Sequence, residues 1–148
     1  MWSLRKVKSM KFKQQEEKME NNPFLEEAIE LCSTCLRFMY AIRSKPFLKS
    51  DCKAEKYRDK LSCNLQKLIK LCISLDSKHE YPAFNPELTG VESIAGLKAL
   101  EEEYYNRLKS LGKKALEANN IEVVSYLSEI IANFEHYFCT LDESDVQS

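Results

Sequence analysis

Glycine and proline are scarce in this chain, at 3 and 4 of 148 residues. That argues against a multi-stranded sheet joined by tight turns. It also argues against glycine-rich phosphate loops, which need several clustered glycines. Charge of one sign is lacking too: 22 basic residues face 23 acidic ones. No global field therefore steers the chain toward nucleic acid or membrane. No apolar run approaches the roughly 18 residues of a membrane-spanning helix. Only two histidines occur, His79 and His136, in unrelated settings, and no Ser–His–Asp or Cys–His nucleophile stands out. Met1 to Lys13 carries no continuous apolar core of the kind a secretory signal needs. The six cysteines then read as reduced thiols of a cytoplasmic protein, not as a disulfide framework.

What remains is a chain with 44% hydrophobic and 30% charged residues, too apolar to stay disordered and long enough to bury a core. Its apolar residues recur at three-and-four spacing, the signature of helices packed on one another. The expected fold is all-α: a four-helix bundle with a long connection between the second and third helices. The helices should hold roughly 20 to 28 residues each, about 30 to 42 Å.

Residues 1–21 read as a flexible basic tail, with Arg5, Lys6, Lys8, Lys11 and Lys13 ahead of any acid. Trp2 and Phe12 are interleaved with these cations but share no helical face with the other apolar residues of the tail. The first helix is expected over Pro23–Ser44, with Asn22 as N-cap and Pro23 at the first position. Its apolar arc, from Leu25 through Cys32, Cys35, Phe38 and Ile42 with Tyr40 at the margin, covers about 200° of the wheel. So broad a face predicts either a central position or a subunit interface. Pro46 closes this helix, and the second runs over Asp51–Leu75 with Asn64 at the edge of its stripe. Residues 76–88 form the long linker. Its 13 residues reach about 45 Å at most, so both a local return and a crossing of the whole bundle are open. Thr89 and Glu92 form a capping box for a third helix reaching about Glu117. Asn120 caps a fourth, whose stripe continues through Phe134 and Phe138 to Leu141. Residues 142–148 read as a frayed acidic tail.

Candidate chemistry is sparse. The short–long–short pattern of connections resembles the ferritin-like arrangement, in which a long crossover links the middle helices, and the stretch Leu97–Leu141 resembles the last two helices of such a bundle. On that resemblance Glu101 is where a metal ligand would sit, a weak candidate. The family's Glu-x-x-His pairs are absent: Glu55 is followed at that spacing by Arg58, Glu129 by Ala132 and Glu135 by Phe138. The plainer reading places Glu101 at a core edge. Cys32-x-x-Cys35 lies in mid-helix on the apolar face. There it lacks the second ligand pair a zinc site needs and the helix N-terminus that lowers a thiol pKa, so it reads as core. Glu122, Glu129 and His136 line up on a polar face that reads as solvated. No cofactor is implied.

Two surfaces are left. Phe38 and Tyr40, with Tyr105, Tyr126 and Tyr137 at the margins of the third and fourth helices, suit a protein interface. The expected function is a non-enzymatic helical interaction module, binding another protein or itself as a homo-oligomer. The alternatives are a degenerate ferritin-like metal-binding bundle, and nucleic-acid or membrane-surface binding through the basic tail.

Overall fold

A computed structural model describes residues 22–43 and 52–146. Four α-helices make up the fold: α1 Leu25–Arg43, α2 Cys52–Leu75, α3 Ile94–Glu117 and α4 Ile121–Glu135, followed by a short 3-10 turn at Glu143–Asp145. No strand and no helix long and apolar enough to cross a membrane occurs among the described residues. The basic residues Arg5, Lys6, Lys8, Lys11 and Lys13, and Pro46, lie outside the described residues.

Paired contacts fix the topology. The Asn22 N–H donates to the Leu75 carbonyl at 3.4 Å, while Phe38 meets the Tyr57 ring at 5.5 Å; α1 and α2 are therefore antiparallel. Glu27 pairs with Lys114 and Arg37 with Glu103, so α3 is antiparallel to α1. Ser74 bonds Glu122 and Lys67 pairs with Glu129, so α4 is antiparallel to α2. Helix α1 packs on α2 and α3, and α4 packs on the same two. It follows that α2 and α3 run parallel across the diagonal. The connection between them must traverse the whole bundle, and of the two topologies the crossover is the one formed.

This crossing explains the broad apolar arc of α1. The connection passes along its outer side, where Phe84 and Val91 pack against the core together with Ile29 and Met39. Two flanks of α1 meet helices and much of a third meets the crossover, so the width of the arc is used within the chain.

Local signals set most helix ends. The Asn22 side chain accepts from the Phe24 N–H at 2.9 Å. Asn120 caps α4 by accepting from the Val123 N–H at 3.2 Å. Between α3 and α4, Asn119 takes a left-handed conformation with φ 56°. The Asn120 N–H returns to the Ala115 carbonyl and the Asn119 N–H to that of Leu116, the pattern of a Schellman turn.

Three boundaries differ from expectation. Helix α1 begins at Leu25, not Pro23, after a turn in which the Leu25 N–H returns to the Asn22 carbonyl at 2.9 Å. Helix α3 opens on Ser93, whose hydroxyl accepts from the Gly96 N–H at 3.1 Å; Thr89 and Glu92 precede the helix, so the capping box does not form there. Helix α4 ends at Glu135 although its apolar spacing continues to Leu141. Cys139 adopts φ 62°, the chain turns, and Leu141 reaches the core from beyond the turn. The acidic end is not frayed at Asp142–Val146. Asp142 and Asp145 form a reciprocal capping box, and Asp145, 6% exposed, pairs with Lys53 of α2 at 3.3 Å.

Candidate functional site

Glu101 is 3% exposed and lies inside the bundle. The Tyr57 hydroxyl of α2 donates to it, and so does the Cys139 N–H, at 3.2 Å. Both bonds end on Oε2. Burial pushes the Glu101 carboxyl above the ordinary carboxylate range, and the two hydrogen bonds act against that shift. Burial, and then the nearby carboxylate, push the Tyr57 phenol well above its ordinary range. The arrangement joins α2, α3 and the turn after α4 through one carboxylate. Among the described residues, no three His, Cys, Asp or Glu side chains are grouped to hold a metal ion. The chemistry available to Glu101 is hydrogen-bond acceptance inside the fold.

Elsewhere in the core the polar groups are less well served. Asn64 and Tyr104 are both 0% exposed. Neither the Asn64 amide nor the Tyr104 hydroxyl has a hydrogen-bond partner. Cys35 and Asn64 lie close enough to the Tyr104 hydroxyl to perturb its ionisation, but not within hydrogen-bonding geometry. The Cys35 thiol donates to the Leu61 carbonyl at 3.5 Å, and burial pushes its pKa up to about 12. The Cys32 and Cys72 sulfurs meet across α1 and α2 at 3.7 Å. Cys32-x-x-Cys35 is thus part of the core, as its mid-helix position suggested.

The expected interface residues do not converge on one surface. Phe38 is fully buried, edge-on to Tyr57, and offers a partner nothing. Tyr105 lies on the α3–α4 seam, where its hydroxyl donates to Glu135 at 2.7 Å and its ring sits 4.5 Å from that of Phe138 and beneath Lys109. Tyr126 lines a shallow hollow between α2 and α4 with Lys70, Ile73 and His79. Tyr137 packs on Tyr57 at 5.6 Å. Glu122, Glu129 and His136, the expected solvated row, are all exposed, and there Ser74 and Lys67 of α2 donate to Glu122 and Glu129.

Tyr40 is different. It is 37% exposed and shares a groove of about 470 Å³ with Leu36, Met39 and Leu88. Arg43, Arg58, Asp59 and Ser62 complete the lining. Leu88, on the crossover, is 42% exposed; the sequence pattern carries no signal for it, because a loop leucine belongs to no helical period. A second cleft, of about 670 Å³, opens between α1 and the crossover beside Ile29, Phe84 and Leu100. Its Arg37 is held by Glu103 at 3.1 Å. Comparison with family models, curated proteins and solved structures finds no match to this chain.

Proposed function

We propose that the protein is a non-enzymatic helical interaction module, and that it engages another polypeptide through the groove between α1 and α2. The observation that carries this reading is the exposure of Tyr40 and Leu88 over one apolar hollow with charged residues at its edge. An apolar centre with an aromatic anchor and a polar rim is how protein interfaces are built. The volume suits one or two inserted side chains. The groups whose ionisation burial perturbs most, at Glu101, Tyr57, Cys35 and Tyr104, line the bundle interior and none lines the groove.

A second copy of the chain is the first partner to test. Native mass spectrometry and sedimentation equilibrium of wild type against Leu88→Asp and Tyr40→Ala make the test. Both positions are exposed, so the variants should keep the wild-type circular dichroism and melting temperature. Self-association, or affinity for a heterologous partner, should weaken at least about tenfold in Leu88→Asp, equivalent to about 1.4 kcal/mol. Binding that survives both substitutions places the surface elsewhere.

A further inference from the structure

Cys32 and Cys72 stand out among the features that the docking groove leaves unused. Their sulfurs are 3.7 Å apart on neighbouring antiparallel helices, and both residues are 0% exposed. Small residues let the helices come close at this seam. Ala28, Cys32, Cys35 and Ala41 all face inward from α1, and Cys35 reaches the backbone of α2 at Leu61. For helix axes about 8–10 Å apart and Cα atoms about 2.3 Å from each axis, facing Cα atoms lie about 3.4–5.4 Å apart. That overlaps the span a disulfide bridges.

We propose that Cys32 and Cys72 are an oxidisable pair that a peroxide converts to an intramolecular disulfide, latching α1 to α2. The Cys72 thiolate attacks one oxygen of hydrogen peroxide. The O–O bond breaks, hydroxide leaves and takes up the proton Cys72 has released, and Cys72 becomes a sulfenic acid. The Cys32 sulfur then attacks the Cys72 sulfur. The S–O bond breaks, and the hydroxyl departs as water with the Cys32 proton. Two thiols lose two electrons in all, and one peroxide is reduced to two waters. Either sulfur can donate to the other across the 3.7 Å contact, so the same balance holds with the roles of the two cysteines exchanged. Burial makes the reaction depend on local opening of the α1–α2 seam.

The test uses the full chain carrying C52S, C63S and C139S, which removes the exposed thiols and leaves the core intact. The folded protein is treated with hydrogen peroxide, then denatured, alkylated and peptide-mapped. The expected product is lighter by two hydrogen atoms, with Cys32 linked to Cys72 and Cys35 alkylated. Its melting temperature should rise by about 10 °C and return on treatment with dithiothreitol. Recovery of both Cys32 and Cys72 as alkylated thiols would overturn the proposal. So would a Cys32–Cys35 link, or a Cys32–Cys72 link that forms only in urea.

Discussion

Two polar groups inside the same core have opposite fates. At one, Tyr57 and the Cys139 N–H converge on Glu101, and three separate elements are tied to one carboxylate. At the other, Asn64 and Tyr104 are just as buried and have no partner. Both pairs span α2 and α3, the diagonal helices. The Glu101 knot forms only if the crossover sets those helices parallel and the chain turns inward after α4, so it is specific to this topology. Asn64 provides no such bond. A buried polar group left unpaired costs about 1–3 kcal/mol relative to water, whereas a satisfied one costs little and fixes register. Burial alone therefore says nothing of what a polar residue contributes.

One substitution, made at two places, should separate the two. Tyr57→Phe removes a single oxygen but leaves Glu101 buried with one donor in place of two. It should cost about 2–3 kcal/mol at neutral pH, measured by urea unfolding. A loss below about 0.5 kcal/mol would mean the hydroxyl does not hold the knot. Adding Glu101→Leu to Tyr57→Phe removes the stranded carboxyl and should recover part of that loss. In the Asn64–Tyr104 pair the sign reverses. Asn64→Leu exchanges an unpaired amide for an apolar side chain of similar size and should stabilise by about 1–2 kcal/mol. Tyr104→Phe removes an unpaired hydroxyl and should be neutral or stabilising by up to about 1 kcal/mol. Equal losses from Tyr57→Phe and Tyr104→Phe would erase the distinction.

The contrast also marks how far the sequence could be read. Helix number, core stripes and the cap at Asn120 follow from local spacing and short-range hydrogen bonds, and these were legible. A 13-residue reach permits both routes, so the sequence does not choose between them; in the crossover that forms, Phe84 and Val91 pack against the core beside Ile29 and Met39 of α1. Phe138 and Leu141 keep helical spacing, so the sequence extends α4 past its end at Glu135; beyond that end the Cys139 N–H bonds Glu101, a partner 38 residues away that local spacing does not reveal. Glu101 was visible as a carboxylate within an apolar stripe. Its partners were not, since Tyr57 reads as one more core aromatic and the Cys139 N–H has no side-chain signature. Tyr40 was picked out, but its neighbour Leu88 could not be, and the other aromatics were scattered by a packing that sequence margins do not encode.

The smallest expected effect concerns the proton on Glu101. Burial raises its folded-state pKa above the ordinary 4.5, so the folded chain holds this proton more tightly than the unfolded chain. The stabilisation this gives is fully present below the unfolded value and is lost as pH rises through the raised folded value. Glu101→Gln cannot titrate there. The unfolding free energy of wild type, measured against Glu101→Gln in urea at a series of pH values, should therefore fall as pH rises from about 4.5 toward neutrality. The Tyr57 and Cys139 donors favour the ionised form and limit the fall. Tyr57→Phe removes the stronger of them and should steepen it. A wild-type curve that instead gains stability over the same range would mean that the two donors outweigh burial, and that the knot is built for the carboxylate and not for the acid.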